Sequence, residues 1–259
     1  MRIVTFASSS SGNCSLVSDG AANILIDAGI SMRRTVTALR ELGLEPRDLC
    51  GVLITHEHSD HISGLKMLVK HYGLRIFAPA PLCRALGRIN PEIRDYLNYI
   101  PEEEYFLMGG MNVKCFRTPH DAEYSVGYRI EGSSVLGYAT DTGCITDELI
   151  SGLEGADIAL IEANHDLRML RDGPYPYYLK RRIISDHGHL SNDDCALLAQ
   201  HLEKTGTRYI IVGHLSRENN RPQIALDTVG SALSGTAQLF AAPMDTRLSV
   251  SAGEEDAKH

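Results

Sequence analysis

His56-Glu57-His58-Ser59-Asp60-His61 sets three imidazoles and a carboxylate within six residues, a density that makes chemical sense chiefly as ligands for a pair of metal ions. The run before it, Gly51-Val52-Leu53-Ile54-Thr55, is short, apolar and β-branched, and predicts a buried strand. Ile62 to Tyr72, with apolar residues at 62, 65, 68, 69 and 72, predicts an amphipathic helix. The motif thus falls on a strand-to-helix turn. In extended backbone, residues two apart share a side, so His56 and His58 can hold one ion while Asp60 and His61 face a second. Glu57 and Ser59 point elsewhere.

Two ions need more than four ligands, and three further candidates follow apolar or alternating runs. His120 comes after Asn112–Thr118, Asp141 closes Val135–Thr140, and His214 closes Tyr209–Gly213. Each stands just past the C-terminal end of a predicted strand, where α/β sheets gather functional loops.

The order HxHxDH, then His, Asp and His, resembles the metallo-β-lactamase superfamily along the whole chain. That resemblance implies an α/β fold, a four-layer αββα sandwich. It also implies that His56, His58 and His120 hold one metal, that Asp60, His61 and His214 hold the other, and that Asp141 bridges them. Finer motifs narrow the branch: Ser8-Ser9-Ser10-Ser11-Gly12-Asn13, Leu25-Ile26-Asp27-Ala28-Gly29, Glu162-Ala163-Asn164-His165-Asp166, Gly188-His189-Leu190-Ser191-Asn192 and Gly213-His214-Leu215-Ser216. Together they resemble the YycJ/WalJ-like members, and the last two stretches also resemble the end of tRNase Z. The likeness implies nucleic-acid phosphodiesters, with DNA 5′-to-3′ exonuclease activity as the leading expectation. It implies that His189 stands beside the metals to stabilise or protonate the leaving oxygen, and that His165 contacts phosphate. Hydrolysis of RNA, a small phosphodiester or another ester or thioester, and a metal-stabilised binding module, are the alternatives.

Charge supports the same class. Two divalent cations against five neutral imidazoles and two carboxylates leave a centre of about +2, suited to an anionic substrate. Asp60 is placed to orient the attacking nucleophile, although ligation to a cation lowers its basicity. A His-rich, thiol-free site accepts Zn²⁺ or Mn²⁺, with Fe²⁺ also compatible. The net charge of −8 runs against broad nucleic-acid binding. Lys180-Arg181-Arg182, Arg168, Arg171, Arg217 and Arg221, however, flank the candidate loops and can make a basic mouth. Arg217, with Ser10 and Asn13 of the serine run, is a candidate substrate contact. By composition Ser8–Asn13 fits a flexible linker, while Gly12 and Asn13 fit a tight turn that could meet a phosphate. Tyr175, Tyr177 and Tyr178 beside the basic residues suit base stacking or simple packing equally well.

The 259 residues, 43% hydrophobic and 22% charged, suit one domain over residues 1–251 with a polar tail over 252–259, where His259 has little to recommend it as a ligand. No apolar run reaches the roughly 20 residues of a membrane span, so a cytoplasmic protein without a membrane partner is expected. The six cysteines lack a CxxC pair and read as buried free thiols. Strands are predicted near 2–6, 14–18, 22–27, 51–55, 74–78, 112–118, 125–131, 134–139, 157–162 and 208–213. Helices are predicted near 31–42, 62–71, 80–88, 146–151, 176–183, 191–202 and 221–233. Ser191-Asn192-Asp193-Asp194 supplies a cap and first-turn acids for one of these helices. Pro101–Glu104 is a surface connection between the two strand-rich halves.

Overall fold

Ile158-Ala159-Leu160-Ile161 sends alternate side chains into two apolar compartments, Ile158 and Leu160 into one and Ala159 and Ile161 into another. A strand covered on both faces needs no polar side, which is why the run is continuously apolar. Ile24-Leu25-Ile26 behaves likewise, with Leu25 entering a third compartment. In a computed structural model describing residues 1–252, these compartments are the three interiors of a four-layer αββα sandwich.

The first sheet contains β1 (Arg2–Ser9), β2 (Gly12–Asp19), β3 (Ala22–Ile26), β4 (Gly51–Leu53), β5 (Ile76–Pro79) and β6 (Leu97–Ile100) in sequence order. The second runs in reverse spatial order through β7 (Phe106–Met108), β8 (Met111–Arg117), β9 (Val126–Glu131), β10 (Val135–Ala139), β11 (Ile158–Glu162), β12 (Tyr209–Gly213) and β13 (Gln238–Ala241). β14 (Leu248–Ser251) returns to the first sheet beside β1. Each sheet joins an antiparallel part to a parallel part: β3 to β6 run parallel in one, β10 to β13 in the other. The parallel strands aim their C-terminal ends at one edge of the sandwich, where the candidate ligands lie.

Helices α1 (Met32–Arg40), α3 (Leu65–Tyr72) and α4 (Ala80–Ile89) cover the first sheet through Val36, Leu39, Leu65, Leu68, Leu82 and Leu86. Helices α5 (Asp147–Leu153), α8 (Asn192–Lys204) and α9 (Pro222–Ala232) cover the second through Leu149, Leu153, Leu198, Leu202, Ala225 and Val229. Ser191 caps α8 as expected, accepting from the Asp194 N–H at 3.1 Å. The connection at Pro101–Glu104 does pass from one sheet to the other.

Other expectations needed correction. The helix predicted from residue 62 is two pieces, α2 (Ser59–Ile62) and α3. They part at Gly64, whose N–H bonds the Ala28 carbonyl at 2.8 Å and whose Cα lies so near Ile30 that a Cβ would collide with its carbonyl. Strands β6, β7, β13 and β14 and helix α6 (Leu167–Asp172) were not anticipated. The four strands are three or four residues long and form the edges of the two sheets, β14 and β6 in the first and β13 and β7 in the second. Strands so short show little periodicity. Ser8–Asn13 is a hairpin rather than a linker: Ser9 pairs with Gly12 across the turn at Ser10 and Ser11. Ala252, assigned by composition to the tail, is buried and donates to the Met1 carbonyl at 3.0 Å, so the fold extends through it; the rest of the tail, with His259, lies outside the described residues. All six cysteines are free thiols, but Cys50 and Cys144 are only half-buried. No helix among the described residues is long and apolar enough to cross a membrane.

Gly29 sets the path of the histidine-rich loop, since a Cβ there would overlap the Asp60 carbonyl. Gly29→Ala should therefore lower stability by about 1–3 kcal/mol, as forced overpacking does. In α9, a Cβ at Gly230 meets Leu239 at an ordinary 3.6 Å, so Gly230→Ala should be neutral or raise stability by up to about 1 kcal/mol. Urea unfolding of the two variants checks both; equal midpoints would show that backbone contact at residue 29 does not constrain the loop.

Candidate metal centre

The chain reaches the edge of the sandwich by sharp turns. Asp27, just past β3, Asp141, past β10, and His214, past β12, have φ of 60°, 55° and 54°, the only positive values outside glycine among the described residues. Left-handed backbone costs a non-glycine residue about 1–3 kcal/mol and is held in place only by its surroundings. Here all three side chains belong to one buried polar cluster.

Two ligand groups face each other in that cluster. His56, His58 and His120 bring ligand atoms within 4.8 Å of one another, as do Asp60, His61 and His214. Asp141 joins both: it falls in one such group with His56 and His61, and in another with Glu162, His189 and His214. Its Oδ2 lies 3.2 Å from His61 Nε2, and its Oδ1 lies 3.5 Å from His214 Nε2 and 3.7 Å from His120 Nε2. The structure therefore brings together all seven residues singled out as metal ligands.

The donor chemistry fits metal ions. His56 Nδ1 contacts the Thr55 hydroxyl at 3.1 Å, His61 Nδ1 contacts Asp27 at 2.7 Å, His120 Nδ1 donates to the Gly188 carbonyl at 3.0 Å, and His214 Nδ1 contacts Glu162 at 2.7 Å. Fixing Nδ1 leaves Nε2 of each ring for the centre. His56 Nε2, His214 Nε2 and Asp141 Oδ2 are buried with no hydrogen-bond partner among the described residues, and unpaired buried polar atoms are costly without a ligand.

Electrostatics divides the rings. Burial pushes His56 well below the usual histidine range and lowers His120. Burial also opposes charge on His214, yet Asp141, Asp60 and Glu162 outweigh it and raise His214 to about 10. His61 is raised in the same way by Asp141 and Asp27. In the carboxylates burial favours the neutral acid, but His214 and His61 hold both Asp60 and Asp141 well below the ordinary range. A site that favours protons on two buried imidazoles favours a metal cation in the same place.

No sequence motif assigns Asp27 or Glu162 a role, yet they orient the rings. Asp27 Oδ1 accepts the Thr55 N–H at 2.8 Å, while Oδ2 takes His61 and the Thr55 hydroxyl. Glu162 Oε1 accepts from His214 at 2.7 Å and His189 at 2.8 Å, and its Oε2 takes the Thr142 and Leu190 N–H groups at 2.9 and 3.1 Å. With both oxygens doubly engaged, Glu162 is a support for the rings rather than a ligand. The available signal was a carboxylate ending a fully apolar strand, Leu25-Ile26-Asp27 and Leu160-Ile161-Glu162, where burial demands dedicated donors.

The other predicted residues divide. His189 is at the centre: its Nδ1 is held by Glu162, it lies 3.7 Å from Asp141, and Glu162 raises its pKa against the effect of burial. It lines a cleft of about 170 Å³ with Ser10, Asn164, Tyr175 and Ser216. His165 does not line that cleft. It is 1% exposed, and burial lowers it to about 4, which corrects the expectation of a phosphate contact. Asn13 is not open to substrate either: it is fully buried, bonds Ser9 N and O at 3.1 and 2.9 Å, and borders His61 Nε2 at 2.9 Å. Arg217 is exposed but paired with Asp245 at 2.6 Å. Glu57 does point away, accepting the Glu123 N–H at 2.6 Å.

A family model for the beta-lactamase superfamily domain matches residues 22–214. Together with the fold and the ligand clusters, this shows that the chain belongs to the metallo-β-lactamase superfamily, in its YycJ/WalJ-like branch, as a metal-dependent hydrolase. It is 34% identical over 242 residues to the exodeoxyribonuclease YycJ of Bacillus anthracis, covering 90% of this chain and 89% of that protein. It is 37% identical over 239 residues to the exodeoxyribonuclease WalJ of Streptococcus pneumoniae, covering 88% and 86%. Among solved structures, Zn²⁺-bound PqqB from Methylobacterium extorquens shares the fold with a TM-score of 0.73 at 18% identity, covering 96% of this chain and 99% of that one.

If Asp27 and Glu162 orient the rings, Asp27→Asn and Glu162→Gln should each weaken metal binding by about 10–100-fold while leaving every metal-facing atom in place. Competition with a chromogenic chelator measures this. Wild-type affinity in both variants would show that the rings are oriented without them.

Proposed function

We propose that this protein is a two-metal phosphodiesterase acting on nucleic acid, a DNA 5′-to-3′ exonuclease of the cytoplasm whose residues 1–252 work as a single domain. The observation that carries the reading is Asp141, which clusters with His56 and His61 on one side and with His214 on another, and so stands between the His56-His58-His120 group and the Asp60-His61-His214 group. These seven residues hold two divalent ions, Zn²⁺ or Mn²⁺ by donor type, with Fe²⁺ also compatible. Bound there, the ions supply a nucleophile from water at neutral pH and stabilise charge on the phosphoryl oxygens. The relatives named exodeoxyribonucleases, matched over most of both lengths, support DNA as the substrate. Six free thiols among the described residues suit a reducing compartment.

The chain's own residues divide the remaining work. His189 is anchored through Nδ1 to Glu162, a carboxylate that favours the protonated ring whose Nε2 can donate to the leaving oxygen. Asp60 positions the nucleophile without taking its proton, because a carboxylate that holds a cation loses basicity. Ser10, in the cleft with His189, offers a hydroxyl to a phosphate oxygen. Arg217, which also reaches the Ser11 hydroxyl at 3.3 Å next to Ser10, is a further candidate contact for the substrate.

End-labelled duplex and single-stranded DNA, incubated with protein loaded with Mn²⁺ or Zn²⁺, should lose nucleotides progressively from the 5′ end. Absence of cleavage with every metal would sink the nuclease reading. Asp141→Ala should lose bound metal by elemental analysis. His189→Ala should keep its metal and lose about 10²–10⁴-fold in turnover, the usual worth of a positioned acid. Equal metal loss in the two variants would make His189 a ligand instead.

A further inference from the structure

One segment departs from the rest of the molecule in both charge and exposure. Leu167–Ile184 contains α6 and α7 (Tyr177–Ile183) and links β11 to α8; it carries five basic residues and one acidic residue in a chain of net charge −8. Asp172 is shared by Arg171 at 2.9 Å and Arg168 at 3.9 Å. Lys180 donates to the Arg171 and Gly173 carbonyls at 2.6 and 2.7 Å. Among the described residues, neither Lys180 nor Arg181 has a carboxylate partner.

The same segment exposes large apolar surfaces. Tyr177 and Tyr178 are each 75% exposed, with Leu167 and Ile184 close to half exposed. They adjoin a groove of about 290 Å³ lined by Leu167, Leu170, Tyr175, Tyr177, Lys180 and Arg181. The Arg181 guanidinium lies 6.0 Å from the Tyr177 ring centroid. Tyr175 belongs both to this groove and to the cleft of His189 and Ser10. α7 also touches the centre directly, because the Ile183 carbonyl accepts the His189 N–H at 2.8 Å.

A second copy is a poor occupant, since a two-fold interface would set this cationic face against itself. An unpaired polynucleotide strand complements both properties: phosphates meet the cations, and unstacked bases meet the tyrosines. Resting on the nuclease reading above, we propose that Leu167–Ile184 is a track for an unpaired strand. Tyr177 and Tyr178 stack on its bases, Lys180 and Arg181 hold its phosphates, and the cleft joined through Tyr175 leads it to His189. Bases inside a duplex cannot offer their faces, so the track selects single-stranded or frayed ends.

Fluorescence anisotropy with metal-loaded protein tests this, using a labelled phosphorothioate strand of about twenty nucleotides, longer than the sites of typical single-strand binders, to suppress cleavage. The double variant Tyr177→Ala/Tyr178→Ala should bind the strand about 10–100-fold more weakly. Arg181→Glu should weaken binding and flatten its salt dependence. Tyr99→Ala, a control at a 70% exposed tyrosine on β6, should bind like wild type. Unchanged binding by the double variant overturns the proposal, as does an equal loss for a blunt duplex of the same length. A wild-type dimer that becomes monomeric on substitution of the tyrosines overturns it in favour of a second copy. Failure of the nuclease reading would look different: strand binding would remain sensitive to these substitutions, with no cleavage under any metal.

Discussion

Two dehydrated carboxylates, one at the end of a strand in each sheet, govern the geometry of the centre. Asp27 past β3 fixes His61, and Glu162 at the end of β11 fixes His214 and His189. A carboxylate in such a place is costly unless donors surround it. Both are fully engaged, so none of the three imidazoles can rotate without leaving charge unpaired. The left-handed backbone at Asp27, Asp141 and His214 is strain of the kind that this network holds in place.

The network also ties the halves of the sandwich together. The hairpin of β1 and β2 belongs to the first sheet, but Ser8 accepts the His214 N–H at 2.8 Å and Ser9 bridges to Leu215 beyond β12. Asn13 on the same hairpin borders His61. The serine run therefore joins one ligand loop to another across the sheet edge, and only Ser10 of its tip lines the cleft. Apolar packing between the sheets, through residues such as Ile24, Leu53, Tyr128 and Leu160, gives these loops a rigid base.

Much of this was legible in the sequence because each ligand follows a run apolar enough to declare a buried strand. The order of His56, His58, Asp60, His61, His120, Asp141 and His214 carried both the fold and the ligand set. What stayed hidden had physical causes. Edge strands such as Leu97–Ile100 and Gln238–Ala241 are too short and too exposed to show a period. Asp27 and Glu162 work through acceptor geometry, which depends on which histidine the fold brings near them. His165 resembles a functional histidine by its motif, and only its burial removes it from the cleft. Asn13 fits a phosphate contact by its place in the serine run, but the tight hairpin turns its amide inward onto Ser9.

Gly29 has a consequence that extends beyond stability. It meets the histidine-rich loop at a main-chain carbonyl, a group common to every amino acid, so changing the side chain at position 60 cannot relieve a collision there. Gly64 meets the Ile30 carbonyl under the same condition. The loop is thus cast in a mould of backbone, and its shape is independent of the chemistry it displays. Such a scaffold can exchange metals or substrates through its side chains and outer helices while these two hydrogen-only positions stay fixed.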